Sequence, residues 1–204
     1  MTGSDDMSST ERSLNLPNVI TFSRFVLSFV LFALMDTRDH WLLVALLFVL
    51  AVLTDVLDGW IARRFNLVTQ LGRIMDPFVD KFITCGTFLF LLPVSQDSGV
   101  TAWMVVLVLG REILVTSIRG FLEQRGADFS ASTSGKLKMF LQCLAAVAAI
   151  VSMDPSIASI SSGGVTFSNV RDFLLWLMVL ATLWSGYDYV KRAIELLRRT
   201  ESQT

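Results

Sequence analysis

Apolar residues run together in six stretches: Val19–Met35, Trp41–Ala62, Pro77–Val94, Ala102–Phe121, Leu137–Met153 and Phe173–Tyr189, each about 17–22 residues long. A helix needs roughly 20 residues to cross the hydrocarbon core of a bilayer. The pattern therefore predicts an all-α integral membrane protein with six transmembrane helices. Turn-forming residues separate the stretches at Asp36–His40, Ser95–Thr101 (with Gly99) and Asp154–Asp172 (with Pro155, Gly163 and Gly164). Asp76-Pro77 reads as an N-cap followed by proline at the first helical position. On that reading helix three starts there, with Asp80 and Lys81 in its first turns. Residues 1–15 are polar and are expected to be partly disordered, with Glu11 to Leu16 lying along the membrane surface. They lack the apolar core and small-residue cleavage site of a secretory signal, so no processing is expected. Residues 16–199 form the six-helix membrane domain and 200–204 a tail.

Basic residues orient the helices. If the N-terminus is cytoplasmic, the loops at Arg63–Arg73 and Arg119–Lys138 and the tail at Lys191–Arg199 all lie inside, and the opposite loops hold only Arg38 and Arg171. Positive charge collects on the cytoplasmic side of membrane proteins, so both termini are expected there. The composition agrees: 53% of 204 residues are hydrophobic and the mean hydropathy is +0.60, too apolar for an ordinary soluble domain. A net charge of −1 offers no argument for nucleic acid. Cys85 and Cys143 lie in apolar runs and read as small buried hydrophobes. His40, the single histidine, falls in a polar turn, which disfavours histidine-based catalysis or metal binding.

Against this background, four carboxylates between positions 55 and 80 stand out. Asp55 and Asp58 are three residues apart, Asp76 and Asp80 four apart, so on a helix each pair shares a face. An ionised aspartate at the centre of a transmembrane helix costs roughly 2.5–3.5 kcal/mol on insertion scales. Four together repel one another unless positive charge sits among them. Hard oxygen donors in this number favour Mg²⁺ or Mn²⁺ over zinc. A pair of such ions is a common device for displacement at phosphorus, and a carboxylate left partly free can deprotonate an attacking hydroxyl. Gly59 and Ala62 remove bulk beside Asp58, and Arg63 can pair with a phosphate. Taken singly, a Gly59/Ala62 pair reads as a helix-packing notch and a lone aspartate as a polar tie between helices. A structural role alone does not account for the whole set.

The spacing D-x2-D-G-x2-A-R-x8-G-x3-D-x3-D is matched without a gap by Asp55, Asp58, Gly59, Ala62, Arg63, Gly72, Asp76 and Asp80. It resembles the motif of the CDP-alcohol phosphotransferase family. The resemblance implies a six-helix fold, two divalent ions (Mg²⁺ or Mn²⁺), a CDP-linked donor and release of CMP. By motif position it makes Asp55, Asp58 and Asp76 metal ligands and Asp80 both a metal contact and the general base. Gly59, Ala62, Arg63 and Gly72 then surround the CDP moiety. The opening Leu16-Pro17-Asn18-Val19-Ile20-Thr21 with Arg24 is similar to the P-N-x-[IL]-T-x2-R start of bacterial members that accept glycerol 3-phosphate. That likeness adds Asn18 and Thr21 to the CDP site and CDP-diacylglycerol as donor. Arg111-Glu112-Ile113 with Arg119, then Gly135-Lys136-x-Lys138 and Gln142, is similar to the R-E-I…R…G-K-x-K-T…Q stretch of the same members, with Met139 in place of Thr. The resemblance covers about 14–150; the last helix is generic. It further implies a homodimer in the bacterial inner membrane, and the orientation given by the basic residues places the site at the cytoplasmic side.

Read from the residues alone, Arg111 lies about ten residues into helix four and should face a cavity or a partner such as Glu112 or an aspartate. Arg119, Lys136 and Lys138 stand at the ends of helices four and five, where together they could bind the phosphate of an acceptor such as glycerol 3-phosphate. The bland reading, that Arg119, Arg125, Lys136 and Lys138 follow the positive-inside rule and touch lipid headgroups, stays open. So do other acceptors on the same fold, phosphatidylglycerol (a cardiolipin synthase) or an inositol phosphate. A small cation transporter is disfavoured because the acidic residues collect at one face.

Overall fold

The computed structural model describes residues 16–64, 70–124, 133–162 and 164–201. Six long helices carry them: α1 (Leu16–Thr37), α2 (Trp41–Arg64), α3 (Gln70–Leu91), α4 (Ala102–Gln124), α5 (Thr133–Val151) and α6 (Phe167–Glu201). The chain divides into two compact units, Met1–Phe90 and Leu91–Thr204. The expectations for residues 1–15 and 202–204, and for the middles of the two basic loops at 65–69 and 125–132, lie outside the described residues.

In the first unit α1 packs on α2, and the Arg38 turn between them takes a left-handed φ of 61°. α1 meets α3 through phenylalanines. Phe25 lies 5.3 Å from Phe82, and Phe32 stacks on Phe90 at 4.9 Å. Gly86 of α3 makes this approach possible, because a Cβ there would come within 2.2 Å of the Phe32 ring. Hydroxyls in the apolar helices donate to carbonyls one turn back, as Thr84 does to Asp80 at 2.7 Å and Thr87 to Ile83 at 2.9 Å. That satisfies them without a partner from outside the helix.

In the second unit α6 packs against both α4 and α5, around Val115, Leu122, Tyr189 and Ala193. The connections are more ordered than expected. Ser95–Ser98 forms one helical turn closed by Gly99 at φ 70°. The segment expected as loop over Asp154–Asp172 contains a helical turn at Pro155–Ala158 capped by Asp154. A short antiparallel pair, β1 (Ser161–Ser162) and β2 (Val165–Thr166), follows it. The Ser156 hydrogen bonds hold the Asp154 carboxyl below the usual carboxylate range. α6 then begins at Phe167, before the apolar stretch itself. Buried Arg171 in its first turns pairs with Asp172 at 2.8 Å and donates to the Asp97 carbonyl.

One further expectation needs correction. Helix three starts at Gln70, about two turns before Asp76-Pro77, with Pro77 inside it. The Asp76 carboxylate does not cap its own helix; it accepts a hydrogen bond from Thr21 of α1. An interior proline loses one hydrogen bond and crowds the carbonyl a turn earlier, a cost that α3 bears, and Asp80 and Lys81 lie about three turns into it. Among the described residues, four helical stretches are by themselves long and apolar enough to cross a membrane: Asn18–Thr37, Met75–Ser98, Thr133–Val151 and Phe167–Leu196. In α2 the qualifying apolar part is the shorter Trp41–Asp55. α4 is interrupted by Arg111, Glu112 and Arg119. The polar residues singled out as chemistry are those that shorten these two apolar runs.

Candidate active site

The first unit gathers the aspartates against α1. Arg24, 2% exposed, lies within an otherwise apolar helix and pairs through Nη1 with Asp55 Oδ1. Thr21 Oγ1, one turn earlier on α1, donates to Asp76 Oδ1 at 2.6 Å. An arginine or a threonine is tolerated there because each meets a carboxylate; unpaired burial of either the cation or the carboxylates costs several kcal/mol. The positive charge that clustered aspartates require thus comes, at Asp55, from α1. Thr21 was assigned to the nucleotide, and the structure places it on Asp76. Arg24 entered the sequence reading only as a motif position. Its signal was its type, a charged residue midway along an apolar run.

Asn18, Thr21, Phe22, Gly72 and Met75 line one cavity of 160 Å³. Three of the residues assigned to CDP (Asn18, Thr21 and Gly72) therefore share a wall, and Gly72, buried without a side chain, opens it. Asp80 is partly buried one turn beyond Asp76 on α3. Asp58, Gly59, Ala62 and Arg63 fall on the last turns of α2, and their side chains lie outside the described residues. Among the described residues no three of the His, Cys, Asp and Glu side chains gather at metal-binding distance. The donor set nonetheless fits a hard divalent cation. Asp55 and Asp76 each receive their α1 contact on Oδ1, and a carboxylate offers about four acceptor positions. One such contact orients the group without exhausting it.

The second unit holds the other predicted cluster. Arg111 of α4 donates through Nη1 to Glu112 Oε1 at 3.1 Å and through Nη2 to Ser185 Oγ at 2.5 Å. Its guanidinium also lies 5.3 Å from the Tyr189 ring centre. Lys138 of α5, 4% exposed, pairs with the same Glu112 oxygen. Ser134 Oγ donates to Asp188 Oδ2 at 2.6 Å, and Arg192 Nε reaches Asp188 Oδ1 at 3.2 Å. Arg119 is half-buried farther along α4, and Lys136 is exposed near the start of α5. Ser185, Asp188 and Tyr189 were missed because the last helix carries no distinctive spacing; only the partners they meet give them a role.

Comparison with known proteins identifies the family. Residues 14–184 match the CDP-alcohol phosphatidyltransferase family. The chain is 36% identical over 180 residues to a Rickettsia typhi protein named CDP-diacylglycerol–glycerol-3-phosphate 3-phosphatidyltransferase, covering 87% of this chain and 96% of that one. A Bacillus subtilis protein of the same name is 32% identical over 198 residues, covering 90% and 97%. A Mycobacterium tuberculosis protein named probable phosphatidylglycerophosphate synthase is 31% identical over 188 residues, covering 90% and 83%.

Proposed function

The chain belongs to the CDP-alcohol phosphatidyltransferase family, and we propose that it transfers the phosphatidyl group of CDP-diacylglycerol to glycerol 3-phosphate, giving phosphatidylglycerophosphate and CMP. The names of the relatives support the donor and the acceptor. The observation that carries the site is the meeting of two separate motifs: Thr21 and Arg24 of the opening motif each hold one aspartate of the later motif.

In this scheme Asp55, Asp58, Asp76 and Asp80 hold two divalent cations, Mg²⁺ or Mn²⁺. Bound there, the ions supply neutralisation of the charge on the phosphate oxygens. Asn18, Thr21, Gly59, Ala62, Arg63 and Gly72 receive the CDP end, the glycines and alanine by leaving room and Arg63 by pairing with phosphate. Arg111, Arg119, Lys136 and Lys138 bind the phosphate of the acceptor. Asp80 takes the proton from the primary hydroxyl of glycerol 3-phosphate. That oxygen bonds to the lipid-side phosphorus as the bond from this phosphorus to the CMP oxygen breaks, and CMP leaves with the electron pair. The protein crosses the bacterial inner membrane six times with both termini and the site cytoplasmic, and works as a homodimer.

The test supplies the purified protein with CDP-diacylglycerol and, separately, glycerol 3-phosphate, phosphatidylglycerol and an inositol phosphate. Lipid products are identified by mass and CMP is quantified, with and without a chelator. Phosphatidylglycerophosphate from the first acceptor, lost on chelation and restored by Mg²⁺ or Mn²⁺, is the expected result. Turnover with another acceptor alone would overturn the acceptor assignment, and full turnover without divalent ions would overturn the metal scheme.

A further inference from the structure

Glu112 is a buried acid to which the scheme above gives no task. A carboxylate inside an apolar helical unit is costly unless it is paired, and here it is paired twice. Its Oε1 accepts from Arg111 of its own helix and from Lys138 of α5. Arg111 is fixed on further sides by Ser185 and by the Tyr189 ring. Its Nε is buried with no hydrogen-bond partner among the described residues. Glu112 thus bridges two cations, Arg111 of its own helix and Lys138 of α5. Buried clusters of this kind often add no more stability than apolar side chains of similar volume, so stability alone does not account for this one.

We propose that Glu112 is a positioning residue for the acceptor: it fixes Arg111 and Lys138 as a preformed cationic pair for the phosphate of a small soluble phosphate ester. The proposal rests on the acceptor reading above. It also has a sign of its own. If Glu112 merely diluted the local positive charge, removing its charge would strengthen anion binding. As the group that holds the pair in place, its neutralisation weakens binding instead.

The experiment compares the purified full-length protein with Glu112→Gln and Glu112→Asp. KM is measured for glycerol 3-phosphate and for CDP-diacylglycerol, and the thermal midpoint is followed with and without inorganic phosphate. Contacts to charged groups of this strength predict a rise of about tenfold or more in KM for glycerol 3-phosphate in Glu112→Gln. KM for CDP-diacylglycerol stays within about twofold, and any midpoint shift given by phosphate is lost. Glu112→Asp, which keeps the charge on a shorter arm, recovers part of the loss. An unchanged or lower KM for glycerol 3-phosphate overturns the proposal, as does an equal rise in both KM values with a lower midpoint. If Glu112→Gln does not fold, Glu112→Asp decides alone: a selective rise in KM for glycerol 3-phosphate supports the proposal and none overturns it. If the wild type makes no product from glycerol 3-phosphate, the acceptor reading fails. The phosphate shift then decides Glu112: present in wild type and lost in Glu112→Gln supports it, and any other pattern overturns it.

Discussion

Asp55 and Asp76 are each held by a residue of α1. Asp76 illustrates this: its oxygen is claimed by Thr21 at 2.6 Å across 55 residues of sequence. A hydrogen bond to a charged group contributes about 1.5–3 kcal/mol, and in the proposed scheme it orients a metal ligand. Thr21→Val should therefore raise the Mg²⁺ concentration for half-maximal activity by roughly ten- to a hundredfold, whereas Thr21→Ser, which keeps the hydroxyl, should stay near wild type. An unaltered Mg²⁺ requirement in Thr21→Val would separate Thr21 from the metal site. For Asp80, general-base catalysis typically contributes about 10²–10⁴-fold. Asp80→Asn should lose at least that much in kcat while still binding CDP-diacylglycerol. Near-normal kcat with metal binding intact would move the base role to another carboxylate.

At the scale of helices, the close approach of α1 and α3 depends on Gly86. Alanine is favoured over glycine in a helix interior by about 1 kcal/mol, so propensity alone predicts stabilisation by Gly86→Ala. The new methyl, however, would meet Phe32 at 2.2 Å, and that ring is held between Phe82 at 5.6 Å and Phe90 at 4.9 Å. Overpacking typically costs about 1–3 kcal/mol, which outweighs the gain. Gly86→Ala is expected to lower the thermal midpoint in detergent, and adding Phe32→Leu should restore it. Stabilisation by the single substitution would mean that the ring yields freely. At the same scale, Pro77 falls inside the helix α3, and the residue just before it, Asp76, is tied to α1 through Thr21.

Across the whole molecule, charged residues decide what the bilayer can accept. Four helical stretches satisfy length and apolarity alone, while α2 and α4 carry carboxylates and cations that they must bury against protein. The proposed topology makes a direct prediction. In a background with Cys85 and Cys143 changed to serine, an impermeant maleimide applied to intact spheroplasts should label Ser159→Cys, in an exposed turn. It should reach Thr204→Cys only after permeabilisation. Equal labelling of both before permeabilisation, or the reverse order, would refute the arrangement with cytoplasmic termini.

The sequence by itself determined the helical class, the positions of the six long helices to within a few residues at most ends, and the face-sharing of Asp55 with Asp58 and of Asp76 with Asp80. These follow from a repeat of 3.6 residues per turn, which converts spacing within one helix directly into distance. It also pointed to the family, because eight motif positions at fixed intervals are all matched between 55 and 80. What it could not contain were the partners. That Asp55 meets Arg24, that Asp76 meets Thr21, and that Glu112 binds Lys138 while Arg111 reaches Ser185 depend on which helix faces pack together. Helical periodicity says which face is apolar and nothing about which neighbour covers it. Tertiary packing made that choice, and it did so where the cost of burying an unpaired charge in an apolar unit left few other arrangements open.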